Sequence, residues 1–213
     1  MNTERPKIAV VDGAHPYDVV AFHTLFRSFP DLDCYVQSLE NWVWNWGDNF
    51  QNYRAVVFYN FHQALPAGLE EALLKAIDLM AVNGQGIVVW HHALLAFPNE
   101  PVWSSICGIQ DRSFQYYVNQ TITVVPENKQ HPITEGLTPW TVQDETYTMA
   151  EPTSDAEILL TVTHPNSMHN VAWTRHYKNS RVLCLQLGHD NMVWSDPGFR
   201  ELFHRGIRWS FSH

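Results

Sequence analysis

The sequence predicts an α/β fold: a doubly wound, mainly parallel sheet with helices on both faces and an antiparallel extension in the second half. Three observations carry this expectation. Short apolar runs rich in β-branched residues, KIAVVD at 7–12, AVVFYNF at 55–61 and IVVW at 87–90, have the unbroken character of strands buried on both faces. Stretches with helical apolar spacing separate them, and strand–helix alternation calls for parallel pairing. After Pro98 the pattern changes to strands joined by turns, which calls for antiparallel pairing.

The first strand, 7–12, is bounded by Pro6 and Gly13. YDVVAFHTLFRSF at 17–29 places Val20, Leu25, Phe26 and Phe29 near helical spacing, and Pro30 stops that helix. Residues 32–39 return as a strand. NWVWNWGDNFQNY, 41–53, has neither period and reads as a loop or irregular turn. A strand over 55–61 leads to a helix opened by Pro66, with Leu69, Leu73, Ile77 and Met80 on one stripe and Gly84 and Gly86 at its end. The strand at 87–90 closes the alternating half. Residues 113–125 and 146–149 read as antiparallel strands on either side of HPITEGL, 131–137. Three more strands, 157–162, 171–176 and 181–187, precede a final helix that starts at Pro197. The expectation is a single domain over 1–213.

Composition narrows the function. Lys plus Arg total 13 against 22 Asp plus Glu, a formal net charge of −9, with an isoelectric point of about 5.7. That balance argues against a nucleic-acid partner and for a small neutral or polar molecule. Cys34, Cys107 and Cys184 are odd in number and far apart, as expected for reduced thiols in the cytoplasm. No run approaches the roughly 18 apolar residues of a membrane span, so no membrane partner is expected. No Gly-rich phosphate loop opens a helix, so no nucleotide cofactor is expected either. Twelve histidines and nine tryptophans suit a polar pocket with aromatic walls.

Four predicted strands run into histidine: His15, His62, the pair His91–His92, and His189. In a doubly wound sheet the carboxyl ends of the strands line the ligand crevice, so these imidazoles are expected to share one site. Carboxylates are at hand in Asp18, Asp144, Glu145 and Asp190. Such a set can bind a divalent metal with an open position, or exchange protons with a sugar or carbonyl substrate. The sequence leaves both open. Asp18 and Asp196 also suit helix N-caps. The strand-to-helix turn at His91–His92 sits where related architectures place a nucleophilic Ser or Cys, and neither is present.

Taken in order, GAHPYD, VVFYN, GIVVWHHA, HPITEGL, DETY, and LGHD followed by FRELFHRGIRW resemble the ThuA-like (trehalose utilisation) family. That family lies within the class I glutamine amidotransferase-like superfamily of flavodoxin-like folds. The resemblance covers nearly the whole chain. It implies a cytoplasmic protein of carbohydrate metabolism acting on a disaccharide or 3-keto sugar derivative. Carried over residue by residue, it implies catalytic roles for His15, His91, Glu145, His189 and Asp190. His15, His91, Glu145 and His189 are the expected ligands of any metal, zinc or manganese. Tyr17, Asp18, Asn60, His92, Asp144 and Tyr147 are expected to bind substrate. His92 follows the elbow histidine where the family has a small residue, so it either joins the site or packs behind it. The tryptophan-rich stretch 42–46 either lines a sugar face or forms a contact between copies in a homo-oligomer. Two function classes stand: an acid–base enzyme, metal-assisted or not, and a non-catalytic sugar-binding or regulatory domain. A glutamine amidotransferase is excluded for want of the elbow cysteine.

Overall fold

In the computed structural model, which describes residues 4–45 and 50–212, one nine-stranded sheet runs through the protein in the order β2-β1-β3-β4-β9-β8-β7-β5-β6. Its first half is parallel: β1 (Lys7–Asp12), β2 (Asp33–Ser38), β3 (Tyr53–Phe58), β4 (Gly86–Trp90) and β9 (Ser180–Leu185). Its second half is antiparallel: β8 (Asn170–Tyr177), β7 (Glu157–Val162), β5 (Gln115–Pro126) and β6 (Trp140–Thr148). The α/β class stands, but the expectation of a mainly parallel sheet is corrected. Four strand pairings are parallel and four antiparallel, so the sheet is mixed. The reason is connection length: β7, β8 and β9 are joined by turns too short for a helical crossover.

Helices cover both faces. On one lie α1 (Val19–Arg27), the short α5 (Asn191–Trp194) and α6 (Pro197–Phe211). They close over Trp90, whose ring stacks on Phe22 at 5.6 Å and meets Phe203 at 4.5 Å. On the other lie α2 (Leu39–Trp44), α3 (Glu70–Val82) and α4 (Pro101–Cys107). There Phe58 sits between Trp42 and Trp103, with ring centroids 5.2 and 5.0 Å away. The two faces explain why β3 and β4 are unbroken apolar runs: every residue from Ala55 to Phe58 and from Gly86 to Trp90 is buried.

Local differences from the sequence reading have local causes. The stretch 41–53 is not all loop, because α2 extends through Trp44 and a 3-10 turn covers Phe50–Asn52. Ser38 caps α2 by accepting from Asn41 N, and burying Leu39, Trp42 and Val43 supports the helix despite its asparagines. Helix α3 begins at Glu70 rather than Pro66. Gly68, at φ +81°, takes a left-handed conformation that keeps 66–69 out of the helix. β6 runs nine residues where four were expected, pairing with β5 from Trp140 onward. Leu69, Leu73, Ile77 and Met80 are all buried, as the stripe requires. Among the described residues, no helix is long and apolar enough to cross a membrane.

Candidate functional site

At the carboxyl end of β4 the chain turns sharply into a 3-10 turn, His91–Leu95, with His91 at φ +52°. A non-glycine residue in this left-handed conformation is costly and persists only where its surroundings fix it. Here Trp103 Nε1 donates to Ala93 O at 2.7 Å, and the buried Arg112 guanidinium donates to Leu94 O, Ala96 O and Phe97 O. The turn thereby presents both imidazoles, His91 fully buried and His92 nearly so, at the edge where the parallel strands end.

His91 is fixed in tautomer as well as position. Its Nδ1 lies 2.5 Å from Gln186 O, which only accepts, so Nδ1 carries the proton and Nε2 presents a lone pair. That lone pair faces Tyr147 Oη at 2.7 Å, His189 Nδ1 at 3.1 Å and Glu145 Oε1 at 3.6 Å. Tyr147 Oη is also 3.0 Å from Glu145 Oε1, and His189 Nδ1 lies 3.5 Å from the same oxygen.

His189 comes from the segment after β9, whose main chain is held almost atom by atom. Gln186 N donates to Val171 O, Trp90 Nε1 to Leu187 O, Trp194 Nε1 to Gly188 O, and Tyr59 Oη to His189 O at 2.6 Å. Asp144 completes the set. Its carboxylate accepts from Gly188 N at 2.7 Å, His189 N at 3.0 Å and Glu145 N at 2.8 Å. Burial pushes the Asp144 carboxyl up to about 7, against the opposing pull of those three N–H groups. Asp144 thus positions the loop and holds no place in the wall of the cavity.

The cavity has a volume of about 260 Å³. Its polar wall is His15, His92, Glu145 and Tyr147, and its apolar wall is Phe61, Leu95, Phe114 and Tyr116. His15 Nδ1 and His92 Nε2 are buried without a hydrogen-bond partner. Burial lowers the pKa of His15, His91 and His92, the last most strongly, so these rings are held neutral near pH 7. Burial also pushes Glu145 up, but its contacts with His91, His189 and the Tyr147 hydroxyl prevail, and its pKa falls. Glu145 is ionised. Tyr147 is pushed well above its ordinary value, by burial first and the neighbouring carboxylates second.

Of the residues singled out in the sequence, His15, His91, His92, Glu145, Tyr147 and His189 converge. The four side chains whose donor atoms lie within 4.8 Å of one another are His91, His92, Glu145 and His189, so His92 stands in the group where His15 was expected. His15 lies beside it, its ring centroid 4.2 Å from that of His92 and its plane tilted by 35°. The remaining candidates lie elsewhere. Asp18 and Asp190 are exposed N-caps of α1 and α5. Tyr17 donates to Asp12, and Asn60 contacts His62 at 3.3 Å. His62 faces Glu40 at 3.9 Å, away from the cluster. Trp42 belongs to the core and Trp44 is exposed, while Trp46 lies outside the described residues. Sequence reasoning missed the apolar wall and the anchors Tyr59, Gln186 and Arg112. Tyr59 and Gln186 sit inside quoted motifs, VVFYN and beside LGHD, but Phe114 and Arg112 carry no local signal.

The fold recurs in solved structures. A ThuA-like protein from Parabacteroides merdae superposes with a TM-score of 0.77 at 20% identity, over 98% of this chain and 91% of that one. A cytoplasmic protein from Salmonella typhimurium gives 0.67 at 12% identity, over 97% and 100%. A glutamine amidotransferase from Thermotoga maritima gives 0.57 at 9% identity, over 99% and 100%. At these identities the likeness is one of fold, flavodoxin-like with a mixed sheet. No curated protein matches the chain in sequence. The model of the ThuA family, described as trehalose utilisation, matches residues 18–210, and with nearly the whole chain so matched the protein belongs to the ThuA family.

Proposed function

We propose that the protein is a cytoplasmic enzyme of carbohydrate metabolism that acts on a ketone-bearing disaccharide or related glycoside by proton transfer at Glu145. The observation that carries this reading is the two-sided cavity. A sugar ring has hydroxyl-bearing edges and apolar C–H faces. The cavity sets imidazoles, a carboxylate and a phenol against Phe61, Leu95, Phe114 and Tyr116. The family's description as trehalose utilisation supports the substrate class.

Glu145, ionised and 11% exposed at the cavity wall, is the base. A ketone acidifies the hydrogen on the carbon beside it. Glu145 takes that proton, and the electrons of the C–H bond form a C=C bond as the neighbouring carbon releases its glycosidic oxygen. The departing oxygen then takes up the proton from Glu145, leaving an unsaturated keto sugar and a free alcohol. Neutral His15, whose ring lines the cavity, meets the hydroxyl-bearing edge of the substrate. His91 and Tyr147 orient Glu145 through their contacts with its Oε1.

The test is NMR detection of product with trehalose, its 3-keto derivative and a panel of other disaccharides. The keto sugar is consumed by the wild-type protein, and Glu145→Gln lowers kcat/KM by about 10²–10⁴. Saturable sugar binding without turnover overturns the reading in favour of a binding protein. Undiminished turnover in Glu145→Gln overturns the assignment of the base.

A further inference from the structure

We propose that His91, Glu145 and His189, with His92 as a fourth donor, form a binding site for one divalent transition-metal ion, zinc or manganese, beside the cavity. The proposal rests on the carbohydrate reading for the ion's role, but its geometric basis is independent. His91 Nε2, His189 Nδ1 and Glu145 Oε1 form a nearly equilateral triangle with sides of 3.1, 3.5 and 3.6 Å. A tetrahedral zinc ion bound at about 2.0–2.2 Å separates neighbouring nitrogen and oxygen donors by about 3.3–3.6 Å. The triangle matches one face of such a polyhedron.

The surroundings agree with this use. Metal-ligating histidines commonly donate their second ring N–H to a carbonyl or carboxylate, which fixes the other nitrogen toward the ion. His91 does so through Nδ1 to Gln186 O. His189 is held by its own backbone, N to Asp144 Oδ1 and O to Tyr59 Oη. His92 adds a nearly fully buried ring whose Nε2 has no partner. Without an ion, the single lone pair of His91 Nε2 is shared among close neighbours. With one, each of the three donors has its own bond, and the Tyr147 hydroxyl donates to Glu145. Several imidazoles with one carboxylate favour zinc or manganese over magnesium or calcium, which prefer oxygen alone. His15 is outside the group and faces the cavity, where it meets substrate. When bound, such an ion polarises a carbonyl oxygen or lowers the pKa of a water.

The experiment is metal analysis by plasma mass spectrometry on untagged protein, stripped with chelator and then equilibrated with Zn²⁺ or Mn²⁺ alone, with affinity measured by calorimetry. Wild-type protein and His15→Ala are expected to take up about one ion per chain, as a site of this ligand count does. His189→Ala and Glu145→Gln, at partly exposed positions and checked for folding by circular dichroism, are expected to lose more affinity than the roughly 10–100-fold that removal of an outer partner costs. Three results overturn the proposal: no stoichiometric ion in the wild type, unchanged uptake in folded His189→Ala, or equal loss in His15→Ala. The two readings fail separately. An ion-binding protein that turns over no sugar overturns the carbohydrate reading alone, and a wild-type protein that turns over sugar but takes up no stoichiometric ion overturns the metal site alone.

Discussion

Gly188 sits where the loop bearing His189 passes beneath the core. Its φ is +113°, and a Cβ built there lies 2.2 Å from Trp90 Nε1 and 3.0 Å from Phe199 Cζ. Trp90 has no room to retreat, since its indole is packed by Phe22, Phe199 and Phe203 and bonded to Leu187 O. Gly188→Ala is therefore expected to destabilise the protein by about 3 kcal/mol through overpacking and backbone strain, read as a drop in ΔG from urea unfolding. A loss under about 0.5 kcal/mol shows that the indole can move aside. The residue scale also separates what spacing can show from what it cannot. GHD marks its histidine correctly as part of a polar cluster, but the aspartate beside it, Asp190, is an exposed cap. In QDETY the roles split within two residues: Asp144 turns inward to hold the 188–189 backbone and Glu145 turns toward the cavity. Side chains alternate across a strand, and sequence alone does not say which side is the site.

The element that makes the site is the 3-10 turn His91–Leu95, and its stability is supplied from outside. Arg112 is buried and, among the described residues, has no carboxylate partner, its guanidinium spread over Leu94 O, Ala96 O and Phe97 O, with Nε on Ser104 Oγ at 3.0 Å. Leu94 O and Ala96 O depend on it for a donor, and a buried acceptor left without one costs about 1–3 kcal/mol. Arg112→Met is expected to lower stability by about 3 kcal/mol and to speed amide hydrogen exchange over residues 91–97 more than over β1 or β9. A uniform change across the molecule would show that Arg112 supports the fold at large rather than this turn. The sequence places the turn correctly, because IVVW ends a buried strand and HHALLAF cannot continue it. It does not reveal Arg112 as the clamp, because the two lie some twenty residues apart and meet only when α4 folds back across the sheet.

At the scale of the whole molecule, buried histidines set the response to acid. Burial lowers the pKa of His15, His62, His91, His92 and His131 below the ordinary 6.5. Below that pH the unfolded chain binds protons that the folded chain refuses. The stabilisation is therefore complete above about pH 6.5 and is lost progressively as pH falls through the lowered folded values. Asp144 opposes this. Its raised pKa of about 7 lets the folded state hold a proton that the unfolded chain releases from about pH 4 upward, one group against five. The midpoint of urea unfolding is expected to be lower at about pH 5 than at about pH 7.5. An equal or higher midpoint at the lower pH would show that these rings gain protons in the fold as readily as outside it.

Taken alone, the sequence determined the order of most elements, the four imidazole-bearing strand ends and the identity of Glu145 and Tyr147. Those follow from local pattern: apolar period, turn residues, and the motifs at strand ends. Tertiary structure decided what they make together. β6 lies at the far edge of the sheet, five places from β4 in strand order, yet its Glu145 and Tyr147 meet His91 across the carboxyl end of the parallel strands. That meeting depends on the antiparallel half folding back so that Asp144 captures the 188–189 backbone, and on Trp44 and Trp42 parting to surface and core. Which of His15 and His92 joins the tight cluster was likewise settled by packing. The two rings lie side by side, and the 3-10 turn rather than residue type sets His92 within 4.8 Å of the other donors.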